Sequence, residues 1–113
     1  MENCLFCRII HGEIPSTKVY EDEKVYAFRD INPQAPFHAL VVPKKHVASV
    51  SEIDQLSNDE IAACLYALKQ IASEAGLSGG YRIISNCGPD ACQSVPHLHF
   101  HILGGRQMAD QMA

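Results

Sequence analysis

The segment His97-Leu98-His99-Phe100-His101-Ile102-Leu103 constrains this chain more than any other stretch. Three of the six histidines alternate there with apolar residues. Side chains of a strand point to opposite faces in turn. A strand over 97–103 therefore sets His97, His99 and His101 on one face, about 7 Å apart. Leu98, Phe100 and Ile102 take the other face, the core side. Imidazole is the side chain best suited to nucleophilic attack, proton transfer or metal ligation near neutral pH. The pattern predicts one wet, reactive face backed by one buried face.

Around that strand the chain reads as a small set of short elements. Residues 5–11 make a short helix with Phe6, Ile9 and Ile10 on one side, ended by Gly12. Lys18–Glu21 and Lys24–Asp30 read as a hairpin across Asp22-Glu23. Asn32-Pro33 and Ala35-Pro36 stiffen a loop. His38–Val42 is apolar enough to be a central strand, and Pro43 ends it. Ser57 and Glu60 form a capping box. Ile61, Cys64, Leu65, Leu68, Ala72 and Ala75 follow at helical spacing up to Gly76. Tyr81–Asn86 is a fourth strand and His97–Leu103 the fifth. A polar loop from Cys87 to Ser94 joins them. Helix, three strands, helix, two strands, with short connections, predicts one antiparallel α+β domain over residues 1–113. One sheet face carries the long helix and the other the histidines.

Composition narrows the function classes. No apolar run is long enough to span a membrane. The start, Met1-Glu2-Asn3-Cys4, lacks the features of a signal peptide, so cytoplasmic residence is the expectation. Net charge is −4 and no basic run exceeds the pair Lys44-Lys45, which argues against nucleic acid as a partner. One nucleotide in a local pocket remains compatible. Five cysteines without a secretion signal do not predict a disulfide framework. Cys64 reads as a core residue of the long helix.

An imidazole nucleophile attacks phosphorus well. Its far nitrogen must be hydrogen-bonded so that the attacking one is unprotonated. Donors are needed around the phosphate. Gln93, Ser94, Asn86 and His101 lie near the histidine strand in the predicted topology, and Gly88 lets backbone approach closely.

These residues carry a resemblance. His97 to Leu103 resembles the H-φ-H-φ-H-φ-φ signature of the histidine-triad (HIT) proteins. Asp30-Ile31-Asn32-Pro33-Gln34-Ala35-Pro36-Phe37-His38, Val42-Pro43-Lys44-Lys45-His46, Gly80-Tyr81-Arg82, Gln93-Ser94-Val95 and Gly104-Gly105-Arg106-Gln107-Met108 resemble its Hint-like branch. The resemblance implies a HIT-like fold: a five-stranded antiparallel sheet with one long and one short helix, forming a homodimer. It implies binding of purine nucleoside monophosphates and hydrolysis of nucleoside 5′-phosphoramidates or related nucleotidyl substrates. His99 would attack the α-phosphate and carry the nucleotidyl group. Ser94 would assist the departing amine, and His38 would support the nucleophile. Asn86, Gln93 and His101 match phosphate-contacting positions. Asp30 matches the ribose-hydroxyl acceptor. Leu5, Phe6, Ile9, Phe28 and Ile31 match the apolar slot for the base. Taken alone, Asp30 could equally cap its loop, and the apolar positions could be plain core. Pro96 departs from the aromatic often found there, and the tail after Met108 lacks the Trp-Pro ending common in the branch.

Cys4 and Cys7 have structural-zinc spacing. His46 and His97 are the candidates for the other two ligands. Related bacterial HIT proteins and galactose-1-phosphate uridylyltransferases resemble this arrangement. Such a zinc is closed and is not needed for the chemical step. A redox pair or two unligated thiols are the other readings of the motif. Two further readings of the chain stand beside the hydrolase. One is a nucleotide-binding regulatory module with incidental turnover. The other is a zinc hydrolase ligated by the three alternating histidines, which leaves Cys4, Cys7 and Ser94 without roles.

Overall fold

The computed structural model describes residues 3–112. Met1, Glu2 and Ala113, which fall within the predicted 1–113 domain, lie outside the described residues. Among those described, no helix is long and apolar enough to cross a membrane.

The predicted α+β architecture is observed. In chain order there are α1 (Leu5–Ile10), β1 (Lys18–Glu21), β2 (Val25–Arg29), β3 (Phe37–Pro43), α2 (Asn58–Glu74), β4 (Tyr81–Ile84) and β5 (Phe100–Gly104). The five strands form one antiparallel sheet in the order β1-β2-β3-β5-β4. β1 and β4 are its edges. Asp22 makes the first hairpin: its Oδ1 accepts the N–H groups of Lys24 and Val25, both at 2.8 Å. β3 is buried along its whole length.

The sheet separates two cores. On one face α2 packs Cys64, Ala67, Leu68, Ile71 and Ala72 against Val25, Ala27, Ala39, Val41 and Ile102. Burying a side chain the size of Leu68 or Ile71 contributes about 1.5–3 kcal/mol. The capping box forms, with the Glu60 N–H donating to Ser57 Oγ and the Ser57 N–H to Glu60 Oε1. Gly76 closes the helix at φ +70°. The buried stripe differs from the expected one. Leu65 is 53% exposed, whereas Ala67 and Ile71 are buried, because the helix faces the sheet through the side centred on Leu68. On the other face α1 lays Phe6, Cys7 and Ile9, together with Cys4 at its N-cap, over Tyr26, Phe28, Leu40 and Val42.

The histidine segment corrects the expectation. β5 begins only at Phe100. The His97 N–H donates to the Val95 carbonyl at 2.8 Å, a three-residue turn centred on Pro96, whose ring fixes the φ such a turn needs. The strand cannot start earlier. Sidedness nevertheless survives. Leu98 packs with Val47 and Leu56, and Phe100 and Ile102 lie toward the helix-side core. His97 is not on a wet face, however: it is fully buried. Two 3-10 turns have no counterpart in the sequence pattern, Val50–Gln55 after Ser49 and Pro89–Ala91 in the β4–β5 loop.

Candidate active site and metal centre

The sheet face opposite α2 carries a cavity of about 420 Å³, the size of a small-ligand site. Its floor is Leu40 and Phe28, neighbours across β2 and β3. α1 supplies Leu5, Phe6 and Ile9 to one wall. Asp30 and the 99% exposed Ile31 stand on the β2–β3 loop, while Asn86, Ser94, His99 and His101 come from the β4–β5 side. Of the predicted catalytic and nucleotide-binding residues, all but His38 and Gln93 line this one cavity.

His99 is held by its backbone surroundings. Its Nδ1 lies 2.7 Å from the His97 carbonyl. A carbonyl only accepts, so Nδ1 carries the proton and Nε2 keeps its lone pair. The His99 carbonyl accepts from Ser85 Oγ at 2.7 Å, and Phe6 meets the ring edge-on at 5.0 Å between centroids. Every fully buried side-chain nitrogen and oxygen among the described residues has a partner. Nε2 has none, so it opens on the cavity. His99 is thus a fixed imidazole, 6% exposed, with its basic nitrogen presented to a ligand.

His38 is hydrogen-bonded to His101 and extends the chain of polar groups behind it. The Gln34 N–H donates to His38 Nδ1 at 3.0 Å, so His38 Nε2 bears the proton. That atom sits 2.9 Å from His101 Nδ1 and 3.4 Å from Asp30 Oδ2. His101 Nδ1 then accepts, and His101 Nε2–H is a donor beside His99. Asp30 has the capping role that its sequence context allowed. It caps its loop by accepting the Asn32 N–H at 2.8 Å, and it lines the cavity. Gln93 is a different matter. Its amide donates to the Ala48 and Val95 carbonyls and accepts the Gly88 N–H. It positions the loop that carries Ser94, and the Gly88 N–H is already occupied.

Burial pushes the His101 imidazole down to about 4, with the neighbouring His99 and His38 adding to the effect and Asp30 opposing it. His38 is lowered by burial as well. An unfolded chain titrates these groups near 6.5. Between about 6.5 and 4 it therefore binds more protons than the folded chain, and stability falls as pH falls through that window. Urea unfolding midpoints should drop over this range more steeply in the native chain than in His101→Gln. Parallel slopes would show that His101 is not held neutral.

The second cluster lies under α1. Cys4 Sγ is 3.3 Å from His97 Nδ1. Cys7 Sγ is 3.4 Å from His46 Nδ1 and 3.5 Å from His97 Nδ1, and the two Nδ1 atoms are 3.1 Å apart. All four donors lie within 4.8 Å of one another. Ligands about 2.0–2.3 Å from a tetrahedral zinc stand roughly 3.3–3.8 Å apart, so the set fits. His97 Nε2 is 2.9 Å from the Pro43 carbonyl and donates to it, which leaves Nδ1 free to ligate. Burial and the adjacent Cys4 push the Cys7 thiol up to about 11, which argues against a redox-active pair. The three segment histidines do not converge on one point. His97 faces the cysteines, while His101 faces His38 and Asp30.

Six cavity-lining residues were not foreseen: Ile14, Pro15, Ser16, Arg29, Leu40 and Cys92. Ile14 to Ser16 read as a connector. Cys92 owes its place to a left-handed conformation, φ 61°, at the end of the Pro89–Ala91 turn.

A family model described as the HIT domain matches residues 11–108. The chain is 51% identical over 106 residues to a 14 kDa zinc-binding protein of Zea mays, covering 92% of this chain and 83% of that one. It is 48% identical to the adenylylsulfatase HINT1 of Arabidopsis thaliana, covering 92% and 72%. Its fold matches a HIT family hydrolase from Clostridium thermocellum with a TM-score of 0.95 at 46% identity, over 100% of this chain and 99% of that one.

Proposed function

The chain belongs to the HIT domain family, and from that premise we propose that it is, over its whole length, a single-domain nucleotide hydrolase working through a nucleotidyl-His99 intermediate. One observation carries the reading: His99 Nδ1 is locked onto the His97 carbonyl at 2.7 Å, and Nε2 is left bare toward the cavity. The substrates are purine nucleoside 5′-phosphoramidates, or relatives with another leaving group on the same phosphorus. The Arabidopsis relative named an adenylylsulfatase supports that breadth.

In the first step His99 Nε2 forms a bond to the α-phosphorus as the phosphorus–nitrogen bond breaks. His101 Nε2–H and the Asn86 amide donate to the phosphoryl oxygens. The exposed Ser94 hydroxyl passes its proton to the leaving amine and recovers one from the water that attacks in the second step. In the second step water attacks the same phosphorus and His99 departs, releasing the nucleoside monophosphate. Asp30 accepts from the ribose hydroxyls, and Phe6, Ile9, Phe28 and the rim residues Leu5 and Ile31 enclose the base.

Cys4, Cys7, His46 and His97 hold a structural zinc in this reading. When bound, the ion supplies a closed tie with no position for water. His97 joins the two sites, because its ring belongs to the cysteine cluster and its carbonyl fixes the His99 tautomer.

The protein also acts as a homodimer. Leu65 and Tyr66 on α2 and Tyr81, Ile83 and Ile84 on the edge strand are exposed apolar residues, a combination that soluble monomers avoid. Light scattering at micromolar concentration should give twice 12.4 kDa; a monomer would overturn this part. AMP release from adenosine 5′-phosphoramidate tests the activity. AMP binding without release from either substrate class would make the protein a binding module instead.

A further inference from the structure

The polar end of the base slot has no assigned role. Ser16 lines the same cavity as His99, yet it belongs to the connector before β1. Its Oγ is 3.0 Å from the phenol oxygen of Tyr26, a residue only 9% exposed. An aromatic row runs from the nucleophile toward this pair. Centroid separations are 5.0 Å from His99 to Phe6, 5.5 Å from Phe6 to Phe28 and 6.0 Å from Phe28 to Tyr26. The other polar cavity groups lie elsewhere. Asn86, Cys92 and Ser94 sit on the β4–β5 connection, at the far end of the sheet order from β1 and β2. Asp30 faces His38. The Arg29 guanidinium lies 4.9 Å over the Phe37 ring, whose side chain belongs to the helix-side core.

We propose that Ser16, backed by Tyr26, reads the exocyclic 6-substituent of a purine base. This rests on the reading that the cavity takes a nucleotide with its phosphate at His99. The base then lies along the aromatic row with its outer edge toward Ser16. Two hydroxyls in series can reverse direction. When Tyr26 donates to Ser16, Ser16 donates to a 6-oxo group. When Ser16 donates to Tyr26, its lone pair accepts from a 6-amino group. The pair therefore tolerates adenine and hypoxanthine alike and disfavours a purine that carries hydrogen at that position.

The test compares 5′-phosphoramidates of adenosine, inosine and unsubstituted purine riboside on the native chain, Ser16→Ala and Ser16→Thr. One neutral hydrogen bond corresponds to about a 3- to 10-fold effect. The native chain should show that penalty for the unsubstituted purine in KM, with kcat unchanged. Ser16→Ala should abolish it and Ser16→Thr should keep it. A merely structural tie would lower Tm and change all three substrates equally, and an unchanged ratio in Ser16→Ala overturns the proposal. The same ratio is read from Kd of the three monophosphates. Failure of turnover with the binding ratio intact would therefore overturn the hydrolase reading alone. Failure to bind any of the three would overturn both.

Discussion

Replacing His99 by Ala should lower turnover of adenosine 5′-phosphoramidate by roughly ten-thousand-fold or more, the scale expected when a covalent nucleophile is removed. AMP binding should persist. The two effects separate because the base slot, Asp30 and the His38–His101 pair do not depend on the His99 ring for position. His38 and His101 hold each other at 2.9 Å, and the slot residues are anchored by the α1-side core. The side chain lost is 6% exposed, and it leaves a space beside Phe6 that costs about 1–3 kcal/mol of stability, too little to unfold the domain. Rates within tenfold of native would remove His99 as the nucleophile.

The second large effect is on stability. Cys7→Ser should remove bound zinc and lower Tm by roughly 10 °C or more. Breaking one member of a buried, mutually dependent set costs about 3–5 kcal/mol, and about 4 °C or more per kcal/mol follows for a domain of this size. Cys7 is 5% exposed and touches both histidine donors. Its loss frees α1, which covers Tyr26, Phe28, Leu40 and Val42. Activity should fall too, because His97 presents the carbonyl that orients His99. Scanning calorimetry with metal analysis checks this. One zinc per native chain, none in the variant and a drop in Tm are expected. An unchanged Tm in a chain shown to contain no metal would mean that the four residues are a hydrogen-bonded cluster only.

Local patterns made much of this legible. Alternation and turn residues placed the β1–β2 hairpin, β3 and β4. Ser57, Glu60 and Gly76 marked α2 because caps act through neighbours in sequence. What failed to show depended on distant partners. The helix stripe ran through Leu65 by spacing, but α2 turns the side centred on Leu68 to the sheet and buries Ala67 and Ile71. Alternation in the histidine segment predicted an unbroken strand, whereas Pro96 turns the chain and holds β5 back to Phe100. Gln93 looked like a phosphate donor beside Ser94. Its amide proved to be committed to Ala48, Val95 and Gly88, and Ala48 lies 45 residues away. Ser16 showed no signal at all, because its partner Tyr26 lies on β2, ten residues away. The lining of the cavity was nevertheless largely legible, since His99 and His101 sit in one segment whose sidedness survived and ten of the predicted residues meet around it.

The most direct test is the mass of the intact protein during turnover. The native chain is mixed with adenosine 5′-phosphoramidate and quenched within milliseconds into alkaline denaturant, where a phosphorus–nitrogen bond persists. Its mass is then compared with that of His99→Ala. The nucleotidyl-histidine mechanism requires a transient gain of one adenylyl group, mapped to His99 and absent from the variant. AMP released at the native rate with no adduct at any time would contradict it and assign the cleavage to direct attack by water.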